Sequence, residues 1–147
     1  MNRKEFSSIV QDLKKTRPIW FGLESDPEGT DSEISEVEKE LLIRLPKEYK
    51  EFVQDFGGGY FGFTNVFSVN NQSEWYIVEL NRQTGLLGSH SLLIISDNQT
   101  GDYFGFNVEN GVCSSNIMFY DHETNQIEKT DYNNLYEYLL KVGLNPN

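Results

Sequence analysis

Two histidines, one cysteine and a surplus of carboxylates are the residues of this chain with chemistry to offer. His90 sits in a Gly-Ser-His-Ser segment and His122 lies between Asp121 and Glu123. An imidazole beside carboxylates is the makings of a general base or of a metal site. Neighbours on an extended chain point to opposite sides, however, so Asp121, His122 and Glu123 are not expected to converge. Neither histidine has a second one at ligand spacing, as a zinc or iron site requires. Cys113 has no base evident beside it and reads as a buried or half-buried thiol. No serine lies in a Gly-x-Ser-x-Gly elbow. Glu33, Glu36 and Glu40 fall at helix-surface spacing and read as a solvated face. Gly57-Gly58-Gly59 follows a helical pattern rather than opening one, and no Lys-Ser or Lys-Thr comes after it. It reads as a cap and turn, not a phosphate cradle. No catalytic constellation, metal site or cofactor site emerges, and the expectation is a binding module rather than an enzyme.

Charge says more about the partner. The 147 residues carry 12 basic and 23 acidic side chains, a net of −11. Residues 1–17 hold five basic and two acidic groups, residues 18–50 four and nine, and residues 51–147 three and twelve. Such a surface repels phosphate backbones, which argues against direct nucleic-acid binding, and it attracts a basic partner. Acidity of this kind also simply keeps a protein soluble. Ten Phe, eight Tyr and two Trp lack the basic neighbours of a base-stacking surface, so they are assigned to the core. A lone cysteine excludes an internal disulfide framework and fits a reducing compartment. No apolar run approaches the ~18 residues of a membrane span, and MNRKEFSSIV lacks the apolar region of a signal peptide. The expectation is a cytoplasmic protein of one domain, residues 1–147, with its oligomeric state open.

The elements that must position these groups follow from periodicity. Phe6, Ile9, Val10 and Leu13 predict a helix over 3–16, ended by Pro18, and Ile19-Trp20-Phe21 form an apolar patch packed on the body. Thr30 and Glu33 have capping-box spacing before Ile34, Val37 and Leu41, predicting a helix over about 31–42. Pro46 suits the start of a third helix, whose Tyr49, Phe52, Val53 and Phe56 share one face. After the glycines the period changes. Strands are expected from Tyr60 through Val69, with Gly62 and Asn65 as turn or bulge points, then at Trp75–Leu80, Leu92–Ile95, Tyr103–Val108, Ile117–Tyr120 and near Ile127. Tyr132, Leu135, Tyr136, Leu139 and Leu140 predict a closing helix capped by Asp131. Helices first, strands next and one closing helix make an α+β fold.

At Thr30, Glu33, Ile34, Val37, Glu38, Leu41, Leu45, Pro46, Tyr49, Phe52, Gly57 and Gly58 the chain resembles the SUKH superfamily of bacterial immunity proteins and fungal cell-wall assembly regulators. Gly101–Phe106 is similar to that family's central strand and Asp131–Leu140 to its closing helix. Two departures stand out: Leu42-Ile43-Arg44 where a glycine is frequent, and three glycines where Asn-Gly-Gly is usual. The resemblance implies an α+β domain of N-terminal helices, a mixed, mostly antiparallel sheet of about five to six strands and a C-terminal helix. It also implies an immunity protein (antitoxin) that binds a cognate polymorphic toxin, with an adaptor regulating a pathway such as cell-wall synthesis as the alternative. An acidic protein suits a basic nuclease, whose nucleic-acid face it can occupy. Polar turns between strands often display recognition side chains, which selects Asp97, Asp102, Asp121 and Glu123, with Trp75 and Tyr103 as aromatic neighbours.

Overall fold

Each N-terminal helix is set by a local signal that the side chains satisfy. In the computed structural model, which describes residues 1–145, Asn2 caps helix α1 (Arg3–Thr16) by accepting the Glu5 N–H at 2.9 Å. A 3-10 turn follows at Pro18–Phe21. The expected capping box is complete at α2 (Asp31–Leu41): Thr30 Oγ1 accepts the Glu33 N–H, and the Glu33 carboxylate accepts the Thr30 N–H, at 3.1 and 3.0 Å. Leu42 ends that helix in the left-handed conformation with φ of 55° and is 83% exposed. A leucine there carries backbone strain of about 1 kcal/mol and buries nothing in return, which explains why a glycine would suit the position.

Helix α3 (Lys47–Phe56) buries Tyr49, Phe52 and Val53, and the Tyr49 hydroxyl donates to the Phe67 carbonyl at 2.5 Å. Phe52 and Phe56 join Phe6 of α1, Phe61 and Tyr136 in one aromatic cluster with neighbouring ring centroids 4.7 to 6.0 Å apart. Gly57 has φ of 82°, and a methyl group on it would collide with the carbonyl oxygens of Asp26 and Pro27. The chain then enters a short hairpin, β1 (Gly59–Phe61) and β2 (Thr64–Val66). Its turn docks on the C-terminal segment through Phe63 N–H to Gly143 O at 2.7 Å, and a side chain at Gly62 would strike that same carbonyl. Asn65, expected at a turn or bulge, is a buried member of β2.

The largest departure from expectation follows. Trp75–Leu80 is not a strand: helix α4 (Ile77–Thr84) begins there and ends at Gly85, and α5 (Leu86–His90) follows directly. Its inward face is Ile77, Val78 and Asn81, so the residue that would complete the apolar period is an asparagine. The Asn81 amide is occupied with backbone. It donates to Ile77 O and Ile94 O and accepts the Ile94 N–H, at 2.9, 3.0 and 2.9 Å.

Four strands make the main sheet: β3 (Leu92–Asp97), β4 (Tyr103–Glu109), β5 (Val112–Asp121) and β6 (Gln126–Lys129), in that order and antiparallel throughout. Among the described residues the fold is thus α+β with six strands in two sheets. The closing helix starts later than expected. Asn134, not Asp131, caps α6 (Leu135–Tyr138) by accepting the Glu137 N–H at 3.0 Å. A wider turn at Leu139–Gly143 completes it, with Leu144 N–H bonded to Leu139 O at 2.9 Å.

Two substitutions test these assignments. Asn81→Leu removes three buried hydrogen bonds and leaves the Ile94 amide groups unpaired, so urea unfolding should show a loss on the order of 3 kcal/mol. Leu42→Gly relieves the left-handed strain, and the same measurement should show stability raised by up to about 1 kcal/mol.

Candidate functional site

Antiparallel pairing gathers most of the selected side chains at one end of the main sheet. Asp97 closes β3 opposite Tyr103 at the start of β4, Tyr103 faces Tyr120, and Asp121 closes β5 opposite Gln126. The turns beyond these strand ends, residues 97–102 and 121–126, contain no Lys or Arg. Asp97, Asp102, Tyr103, Asp121 and Glu123 therefore share one acid-rich rim. Tyr103 and Tyr120 lie 6.4 Å apart between their centroids, and burial, with the Asp97 charge adding, raises the Tyr103 hydroxyl.

Trp75 is placed elsewhere but not far off. It precedes α4, makes an edge contact with the Tyr60 ring at 5.1 Å, and shares with Asp97 a hollow of about 180 Å³. Asp97 links the two regions. Its Oδ1 accepts from Asn65 Nδ2 at 2.9 Å and from the Gln99 N–H at 3.2 Å, while Asn65 Oδ1 accepts the Asp97 N–H at 3.1 Å.

The acidic rim has internal order. Asp102 Oδ1 accepts both the His122 N–H at 2.9 Å and His122 Nδ1 at 2.6 Å, and Asp102 Oδ2 accepts from Asn98 at 2.9 Å. These bonds, the backbone one foremost, hold the Asp102 carboxyl down to about 2, and the same carboxylate raises His122 above its ordinary 6.5. Glu123 does not join them, but Asp121 and His122 do come together with Asp102, because His122 sits past the strand in a turn. Ligating atoms of Asp102, Asp121 and His122 lie within 4.8 Å of one another. They satisfy one another or nearby backbone: Asp121 Oδ1 accepts the Glu123 N–H at 2.9 Å. This is a clasp across two turns, with His122 exposed.

The remaining chemistry-bearing residues are structural. His90 bridges Ser89 Oγ and Asn125 O at 2.6 and 2.9 Å, with its ring edge against Tyr120. The Cys113 thiol is half-buried and pushed up to about 12 by that burial, with Glu38 adding, so it stays protonated near neutrality. Sequence reasoning missed a neighbouring surface. Leu23 and Phe63 are 61% and 52% exposed, and Ile19, expected to pack on the body, is 84% exposed. Trp20 meets the Phe63 ring at 5.1 Å.

A family model described as SMI1-KNR4 cell-wall (SUKH_6) matches residues 31–139, from the start of α2 to the end of α6. The chain belongs to the SUKH superfamily. No curated protein matches it. Membership fits roles of the immunity-protein or SMI1/KNR4 kind, which act through protein–protein contacts. Among the described residues of this SUKH domain no helix is long and apolar enough to cross a membrane.

The clasp sets a pH window. His122, whose folded value is raised, contributes stability that is fully present below 6.5 and is lost as pH rises through that raised value. Asp102, whose folded value is depressed, contributes stability present above its ordinary 3.8 and lost as pH falls through about 2. Titration of the His122 ring followed by NMR should give a midpoint above 6.5, moving down in Asp102→Asn. An unchanged midpoint would show that the bond does not hold in solution.

Proposed function

We propose that this SUKH domain is a non-catalytic immunity protein that binds a cognate protein toxin, a nuclease with a basic surface, and blocks it by covering that surface. The match to the family over residues 31–139 carries the reading. The net charge of −11 and the acid-rich end of the main sheet support its electrostatic part. A nuclease needs a basic face to hold phosphates, and opposed fields speed encounter between two proteins. The protein itself binds no nucleic acid, membrane or cofactor in this account, and it works in the cytoplasm, where its toxin would otherwise act. A second reading rests on the family's own description as a cell-wall protein: an adaptor that regulates such a pathway through a protein partner.

Co-expression separates the two. The domain should rescue growth from the toxin encoded beside it and form an isolable complex with it. Failure of both removes the immunity reading, whereas a phenotype on gene loss in a toxin-free strain selects the adaptor. In the complex, changing Asp97, Asp102, Asp121 and Glu123 to their amides should slow association by about tenfold at low salt, with a smaller effect at physiological ionic strength. An association rate indifferent to both salt and the amides would remove the charged rim from the mechanism.

A further inference from the structure

The hairpin face beside Asp97 combines three properties that no other part of the described surface brings together. The first is concavity. A hollow of about 380 Å³ opens between the hairpin, the end of β3 and the closing helix, walled by Tyr60, Phe63, Phe104 and Tyr138 with Leu23 at its mouth. Tyr60 also lines the hollows on either side of it, of about 380 and 180 Å³, so its ring stands at the centre of a dimpled surface. The second is a polar floor that cannot shift. The hydroxyls of Thr64, Ser96 and Tyr138 form a buried triangle, with separations of 3.3, 3.2 and 2.8 Å, and Asn65 beside them is bonded to Asp97. The third is a single charge. Asp97 is the one ionisable carboxylate lining the hollow, which has no cation among its described residues. Its Oδ1 is taken by Asn65 and Gln99, and Oδ2 has no protein partner among the described residues.

We infer that this hollow receives an arginine side chain projecting from the basic partner, with its guanidinium donating to Asp97 Oδ2 and lying against the aromatic walls. Aromatic rings and one carboxylate lining the same hollow suit a planar, delocalised cation on an aliphatic stem better than the compact ammonium of lysine. The exposed Leu23 and Phe63 lining the hollow give the partner apolar area to cover, and a central aromatic group with a surrounding rim is the usual anatomy of a binding hot spot. A second copy of this chain is a poor occupant, since each copy carries −11 and would bring acid against acid. The inference rests on the reading of the protein as the binder of a basic partner.

The test uses the intact protein and two probes, N-acetyl-arginine amide and N-acetyl-lysine amide, followed by amide NMR. The arginine probe should perturb the Asn65 side-chain amide and the backbone amides of Phe63, Asn98 and Gln99, and the lysine probe should do so more weakly. Asp97→Asn keeps the Oδ1 acceptor and hence the fold, and it should abolish the response, as should Phe63→Ala at the exposed turn; Glu79→Gln on α4 should leave it intact. No localised response, a response equal for both probes, or one that survives Asp97→Asn overturns the proposal. In cells where the wild type rescues growth, Asp97→Asn and Phe63→Ala should each weaken toxin binding by about tenfold or more, and undiminished binding by both overturns the assignment while leaving the immunity reading in place. If the wild type fails to rescue, the reading of function falls and the probe experiment still decides the hollow. Sedimentation showing a dimer that Phe63→Ala dissociates would assign this face to self-association instead.

Discussion

Two stretches of backbone run against each other where the third helix ends, and the arrangement of the domain depends on how close they come. Asp26 N–H bonds to Gly58 O at 2.8 Å, Tyr60 N–H to Glu24 O at 3.1 Å, and Gly29 N–H to Val53 O at 2.7 Å. No side chain fits between them, so the glycine run supplies both the positive φ and the absence of Cβ. The contact sets the direction in which β1 leaves α3. Phe61 then turns inward to the aromatic cluster, and Tyr60, one residue earlier, turns outward beside Trp75. A segment whose glycines invite a phosphate-binding reading is thus a junction, and its consequence for function is the placement of one tyrosine.

Side-chain amides and hydroxyls do the joining that strands would otherwise do. Between the hairpin and the main sheet, a backbone bond from Phe67 N–H to Ile95 O at 2.8 Å is accompanied by the Asn65–Asp97 pair and the triangle of Thr64, Ser96 and Tyr138. On the same sheet edge, Asn81 pairs with Ile94 as a neighbouring strand would. Apart from the half-buried Asp97, each of these groups is buried and hydrogen-bonded, so each is costly to disturb. The sheet edge is covered without being extended, and three of these polar residues, Thr64, Asn65 and Tyr138, also line the hollow beside Asp97.

What could be read from the sequence follows the same division. Helices α1 to α3, the capping box, the glycine cap and strands β3, β4 and β6 all rest on local periodicity or on cap and turn chemistry and stand where expected, while β5 begins at Val112, five residues before the expected Ile117. Trp75–Leu80 misleads because Trp, Tyr, Ile and Val form a β-rich run, while the helical period that wins passes through Asn81, a buried amide that no apolar pattern marks. Asp131 misleads for a related reason: Asn133 and Asn134 compete for the same capping role, and Glu137, which accepts the Asn133 N–H at 2.7 Å, selects the later start. The acidic rim was accessible because its residues lie in polar turns. The aromatic face was not, because nothing local says that Phe63 and Leu23 lie outside the core while Phe61 and Phe67 lie within it.

In the proposed complex, the two surfaces that meet at Asp97 suit different stages of the encounter. Exposed carboxylates at the sheet end act at a distance and are weakened by salt, which makes them a means of steering. The aromatic walls of the hollows act only on contact and are less sensitive to salt than the rim, which in the proposed complex suits them to holding. The placement of the cations keeps this division intact. Arg3 is held by Asp55, Arg82 by Glu40 and Lys50 lies near Glu38, while Lys14 rests over the rings of Phe21 and Phe56. None of them reaches the turns at the sheet end, where His122 alone can carry positive charge and where Asp102 already engages it. The acid-rich rim thus keeps its charge free of Lys and Arg, and Asp97 is where it adjoins the hollow beside the hairpin.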